Sequence, residues 1–146
     1  MKEKIYSKVL LILQFTIVLL LLIANDSFFS NLVSMFIFTL GTLFGIYTLC
    51  FNRIGNFNIA PEIKQNSKFI KTGPYKYIRH PMYFSLFLMI GGVILTEIDI
   101  LNIVFYFSLI IVLYLKAKKE EKLWSEKLEE YVEYKKHTKM FIPFVF

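Results

Sequence analysis

Lys71-Thr72-Gly73-Pro74-Tyr75-Lys76-Tyr77-Ile78-Arg79-His80-Pro81-Met82-Tyr83 is a cationic, aromatic segment set between long apolar runs. It decides the fold because it divides those runs into two pairs and marks where the third begins. Proline has a fixed φ and no N–H to lose, so Pro81 suits the first turn of a helix. His80 then stands at the cap, its ring near free backbone N–H groups and the positive end of the helix dipole. An Arg-His pair and three tyrosines fall within a few residues of one another. Any site this chain carries has half of its chemistry here.

On both sides of this segment the charges vanish. The windows 9–25, 27–52, 81–96 and 100–115 hold no Asp, Glu, Lys or Arg. The chain is 56% hydrophobic and 18% aromatic, with a mean hydropathy of +0.55, too apolar for an ordinary soluble domain. A bilayer span needs roughly 20 apolar residues. The first two windows reach that length. The last two are shorter, and snorkelling by Arg79 and Lys116, with tilt or thinning, makes up the rest. The expected fold is all-α: an integral membrane bundle of four transmembrane helices over about 9–25, 28–51, 81–96 and 100–115. A cytoplasmic loop and a C-terminal amphipathic helix over about 116–135 complete it, and the 146 residues are expected to form one domain. Lys2, Lys4 and Lys8 before the first run imitate a signal peptide, but no small-x-small cleavage site follows, so an uncleaved span is expected. Cys50 is the single cysteine, which rules out an intrachain disulfide.

All 17 Lys and Arg lie within residues 2–8, 53–79 and 116–139, whereas the other two connections carry only acids. The positive-inside rule therefore puts both termini and the central loop in the cytoplasm. Abundant Lys, Ile and Phe with little Gly suit the plasma membrane of a bacterium. The net charge of +6 reads as membrane orientation and contact with anionic lipid headgroups rather than nucleic acid. Gly41-Thr42-Leu43-Phe44-Gly45 is a small-xxx-small pattern that predicts close helix packing within the bundle. Gly91-Gly92 would likewise admit another helix or a flat ligand. Asn56-Phe57-Asn58-Ile59-Ala60-Pro61 and Phe69-Ile70 keep the central loop apolar enough to lie on or dip into the membrane.

The second half of the site comes from the far end of the chain. Projected at about 100° per residue from Glu120, the side chains of Ala117, Leu123, Trp124, Leu128 and Tyr131 fall within about 80° of it. Glu126, Glu129, Glu130, Glu133, Lys118, Lys119 and Lys122 fall on the opposite arc and make a solvated face. A carboxylate in an apolar arc is costly unless something cationic meets it. Lys116, one turn earlier, is the obvious intrahelical partner. Two readings stand: the pair stabilises the helix at the membrane interface, or Glu120 receives the amine of a ligand. Glu121 lies about 100° round, at the edge of the arc. No His or Cys spacing suits a metal, so none is expected, and no nucleophile-base arrangement or phosphate-cradling glycine loop is present.

Taken together, Thr72-Gly73-Pro74-Tyr75, Arg79-His80-Pro81-Met82-Tyr83 and Glu120-Glu121, followed by Leu123, Tyr131, Tyr134 and Pro143, resemble the isoprenylcysteine carboxyl methyltransferase family, to which the phospholipid methyltransferases are related. Phe57-Asn58-Ile59, Pro61 and Phe69-Ile70-Lys71-Thr72 also fit, so the likeness covers roughly residues 53–143. It implies a methyltransferase dependent on S-adenosyl-L-methionine, without a Rossmann domain, whose cofactor lies between the helices at the cytosolic side. Carried over by position, Ser67, Lys68, Phe69, Ile70, Gly73, Tyr75, His80, Pro81, Met82 and Tyr83 would contact the cofactor. Glu120, with Glu121 beside it, would take its amine. Arg79, His80 and Lys116 are the candidates for the reacting end. Lys116 stands where the isoprenylcysteine enzymes carry an arginine near the substrate carboxylate, and lysine lacks the bidentate fork. The stretch 126–131 lacks the family's Phe-Gly, so the helix is expected to run on unbroken. The implied partners are membrane lipid and a lipidic or small apolar acceptor methylated on a carboxylate, amine or thiol. The competing class is a small non-catalytic membrane protein whose basic loop binds anionic lipid.

Overall fold

Polar residues mark where the helices start. The structure, a computed structural model, describes residues 2–25, 31–52, 60–62 and 67–142. Helix α1 is Lys2–Ala24. Asn31 caps α2, Leu32–Phe51, its side-chain oxygen accepting from the N–H groups of Val33 at 3.0 Å and Ser34 at 3.1 Å. Pro81 opens α3, Pro81–Ile94. Asp99 caps α4, Ile100–Lys127, accepting from the N–H of Asn102 at 2.7 Å. These caps satisfy donors that no preceding turn can reach. Helix α5 is Glu129–His137. The readings of 56–59 as a membrane-dipping loop, of the acidic connection at Asp26 and of Pro143 as part of the signature lie outside the described residues.

Among the described residues, α1, α2 and α4 are long and apolar enough to cross a membrane, and α3 is apolar but has 14 residues. That is about 21 Å of helix against a hydrocarbon core of roughly 30 Å. Of the four expected spans, the last two of them short, three are long apolar helices, the last window lying within the 28-residue α4, and the third is a short one. Helix α3 ends at Ile94, within the window 81–96, where the chain turns and the Thr96 hydroxyl donates to the Val93 carbonyl at 2.7 Å.

Helix α2 is inside-out by the standards of a soluble protein. Its buried residues are Ser34, Gly41, Gly45 and Thr48, while Leu32, Phe36, Leu40, Leu43 and Ile46 are exposed. Lipid is as apolar as leucine, so helices in a bilayer associate through small residues that let backbones approach. The partner is α3. A methyl at Gly41 would come within 2.7 Å of the Met89 backbone nitrogen, and one at Gly92 within 2.8 Å of the Phe38 nitrogen. The Ser85 hydroxyl crosses the seam to the Gly41 carbonyl at 2.8 Å. The small-xxx-small pattern is therefore intramolecular packing.

Helix α1 packs on α4. Leu10, Ile17 and Leu21 meet Leu109, Val112 and Leu113, with Ile90 of α3 beside them. At the acidic end, the Asn25 amide donates to Asn102 at 3.0 Å and accepts from Thr96 at 3.1 Å, tying three helix ends together. At the basic end α4 overruns the core: its 28 residues are about 42 Å long. The continuous helix expected over 116–135 is not observed. Leu128 adopts extended angles (φ −140°, ψ 118°) between α4 and α5. Those angles suit any L residue, so the break needs no glycine. It turns Tyr131 inward, where it is buried.

Candidate functional site

After α5 the chain doubles back against the opening segment. Ile78 and Lys139 form a parallel bridge, and the N–H of His80 donates to the Met140 carbonyl at 3.0 Å. Met140 and Phe141 are buried against α4 and the Tyr83 and Phe87 side chains of α3. Arg79 locks the arrangement. Its Nη1 donates to the carbonyls of Thr138 and Lys135 at the C-terminus of α5, where carbonyl groups lack helical partners.

Two adjacent carboxylates of α4 meet this segment in different ways. Glu120 turns its oxygens to the Tyr83 hydroxyl, which donates at 2.5 Å, and to His80 Nδ1 at 3.4 Å. Glu121 is buried and collects cations: Arg79 Nε at 2.6 Å, Lys135 Nζ at 3.1 Å and His80 Nε2 at 3.4 Å. The last contact is an attraction of charge without the alignment of a hydrogen bond. His80 occupies the cap position of α3, but its ring makes no capping bond; the expected capping role gives way to a bridge between two carboxylates. Burial alone would push its pKa down, yet Glu120 and Glu121 outweigh that and hold it above the ordinary histidine value.

Above Glu120 lies a cavity of about 360 Å³, within the range of small-molecule sites. Its walls come from α1, α3, α4, α5, the segment 67–80, and Asn52, Ala60 and Glu62. Phe69 anchors one wall, its ring 5.8 Å from Trp124, 5.3 Å from Tyr131 and 5.0 Å from Tyr134 between centroids. The Tyr134 hydroxyl donates to the Tyr75 carbonyl at 2.5 Å, and Lys71 pairs with Glu130. Burial first, and then the charge of Glu120, push the Tyr75 phenol above its ordinary range, so it stays a donor.

Of the residues read from the sequence, Ser67, Lys68, Phe69, Ile70, Tyr75, Arg79, His80, Pro81, Met82, Tyr83, Lys116 and Glu120 line this one cavity. Gly73 and Glu121 are not among its walls. Gly73 has φ +61°, and a methyl there would meet the Phe51 ring at 2.6 Å, so it seats the loop on the end of α2. Lys116, expected to pair with Glu120, donates across the bundle to Gln14 at 2.5 Å. Sequence reasoning passed over Gln14, Trp124, Tyr131 and Tyr134 as walls of the site. Trp124 and Tyr131 share the Glu120 arc, and Gln14 is an amide inside an apolar run, so the signals were present.

Fold and site together define a helical integral membrane protein with an aromatic, carboxylate-bearing cavity at the basic end of the bundle. The model of the isoprenylcysteine carboxyl methyltransferase (ICMT) family matches residues 28–126. That is more than half of the chain, which belongs to this family and is a membrane methyltransferase. A comparison with curated proteins gives no match. The family match starts earlier than the likeness read at 53–143 and ends within α4, leaving both α1 and α5 outside it.

Proposed function

We propose that the protein transfers a methyl group from S-adenosyl-L-methionine to a lipidic or small apolar acceptor at the cytoplasmic face of a bacterial plasma membrane, with both termini inside. The observation that carries this reading is Glu120. Its carboxylate is gripped by Tyr83 and His80 in the wall of an aromatic cavity. Such a group suits an ammonium, and the faces of Tyr75, Trp124 and Tyr134 suit an adenine ring and a sulfonium. The residues therefore fit the cofactor.

Bound there, the cofactor supplies a methyl group made electrophilic by its sulfonium. Transfer is an in-line displacement, so the protein's work is to align two partners and exclude water. Glu120 takes the amine, while Tyr83 and His80 fix its carboxylate. Ser67, Lys68, Phe69 and Ile70 supply one wall, and Pro81 starts α3 so that Met82 and Tyr83 reach the cavity. Arg79 and Glu121 act as positioning residues: they tie the segment to α4 and α5 and hold His80 in place. His80, standing between two carboxylates, orients Glu120. Lys116 stands at the acceptor end.

Calorimetric titration of S-adenosylhomocysteine into purified protein tests this reading. Wild type binds, and Glu120→Gln weakens binding at least tenfold, since hydrogen bonds to charged groups contribute about 1.5–3 kcal/mol and tenfold corresponds to about 1.4 kcal/mol. No binding by wild type, or equal binding by the variant, overturns it.

A further inference from the structure

Gln14 lies in the apolar run of α1, buried beside the core residues Leu10 and Ile17. An amide there costs free energy unless it is hydrogen-bonded. Its oxygen accepts from Lys116 Nζ at 2.5 Å, and Lys116 is 1% exposed. An ammonium is a donor only, so Oε1 must face it and the amide NH2, a double donor, must face away. Both residues line the cavity. Lys116 Nζ also stands 5.4 Å over the Tyr83 ring, and Tyr83 donates to Glu120. A polar row thus runs along the cavity from Gln14 to Glu120.

The surroundings of Gln14 differ from those of Glu120. Phe15, Leu86 and Met89 line the cavity too, and Phe15 is 53% exposed on the outside of the bundle. The cavity therefore has an apolar end that reaches the lipid-facing surface beside a pair of donors. The family match begins at residue 28, so Gln14 comes from a helix outside it. Two helices could pack through leucines without burying a cation and an amide.

We propose that Gln14 is a specificity-determining residue of the acceptor site: with Lys116 it forms a two-point donor that reads an oxygen-bearing, hydrogen-bond-accepting head group, while the acceptor's apolar body lies along Phe15, Leu86 and Met89. This rests on the methyltransferase reading above. A donor-only head, such as an alkylammonium, meets Lys116 with like charge and offers the Gln14 amide nothing to bind.

The test uses the full chain in zwitterionic nanodiscs. Trp124, the single tryptophan and a wall of the cavity, serves as the fluorescent reporter. Dodecanoate, dodecanol and dodecylammonium are titrated with and without S-adenosylhomocysteine, and partitioning cancels when variants are compared in the same discs. Wild type favours dodecanoate over dodecylammonium at least tenfold, with dodecanol between them. Gln14→Leu reduces that preference to under threefold. Gln14→Glu, which keeps the shape and the oxygen facing Lys116, abolishes or reverses it. Both variants bind S-adenosylhomocysteine within threefold of wild type. No head-group preference in wild type, or the same preference in Gln14→Glu, overturns the assignment. So does loss of cofactor-product binding in both variants, which marks a structural role. Head-group preference without any S-adenosylhomocysteine binding by wild type sinks the cofactor reading and leaves the role of Gln14 standing.

Discussion

The α2–α3 seam and the Glu121 cluster are both closely fitted, and they are held by opposite means. The seam contains almost no polar chemistry: Gly41, Gly45 and Gly92 let two backbones touch, and one serine hydroxyl crosses it. The cluster is almost entirely charge, with one buried carboxylate facing Arg79, Lys135 and His80. In lipid, burying leucine gains little, so shape complementarity drives association along the spans. Where α4 leaves the core, buried charges orient parts of the chain that are distant in sequence. A span is held by what its residues lack, and the site by what its residues attract.

The cluster therefore predicts the largest loss. Glu121→Ala leaves Arg79, whose side chain is 10% exposed, beside an absent partner, and breaking a buried pair from one side costs about 3–5 kcal/mol. Equilibrium unfolding in mixed micelles reads this directly. Glu120→Ala, whose side chain is 21% exposed, should destabilise far less while abolishing cofactor-product binding. Equal losses from the two substitutions would erase the distinction between a carboxylate that builds the site and one that works in it.

That distinction was only half legible in the sequence. A helical projection places Glu120 in an apolar arc correctly, because the arc is a property of α4 alone. It puts Glu121 at the edge, because the cations that bury it arrive from Arg79 and Lys135, on separate elements that no periodicity connects. The same limit explains Leu128. The missing glycine pointed to a continuous helix, yet extended angles are open to leucine, and burial of Tyr131 favours the break. The seam was legible because Gly41 and Gly45 share one face of one helix. Gln14 left a trace as an amide in an apolar run, but its partner Lys116 lies at the opposite end of the chain.

The seam predicts the next loss. Gly41→Ala puts a methyl 2.7 Å from the Met89 backbone nitrogen, which cannot swing aside, and overpacking of this kind costs about 1–3 kcal/mol. The gain in helix propensity, about 1 kcal/mol at most, offsets only part of it. Gly91→Ala is the control. Its methyl would meet the Tyr106 hydroxyl at 3.1 Å, the far end of a side chain that can give way, so unfolding should be unchanged or slightly harder. Similar losses at both glycines would mean that flexibility, and not contact, decides the seam.

A smaller effect separates the regions by pH. The His80 ring faces Glu120 and Glu121 from α4, Tyr83 from α3 and Phe141 from the returning chain. Burial opposes its charge, but the carboxylates hold its pKa above the ordinary value of 6.5. A raised folded-state pKa contributes stability that is complete below the unfolded value and lost as pH rises through the folded one. Stability should therefore decline as pH rises above 6.5, and His80→Gln should remove that decline. The Gly41→Ala variant should keep it. A decline that survives in His80→Gln would assign the titration to another group.

The least effect belongs to a pair that resembles the cluster on paper. Lys71 and Glu130 join the opening segment to α5, yet their side chains are 50% and 59% exposed. Solvent screens such a pair, and ordering two long side chains offsets most of the attraction, so its net contribution is about 0–1 kcal/mol. Lys71→Ala should change unfolding by no more than that, and added salt should remove what difference exists. Glu121→Ala should respond far less to salt, because Arg79, His80 and Glu121 itself are enclosed and only Lys135 reaches solvent. If Lys71→Ala matched the buried variant, charge alone would join α5 to the opening segment. If it does not, what decides is the depth at which Arg79 meets Glu121, and the aromatic contacts of Phe69 with Tyr131 and Tyr134 hold the outer wall.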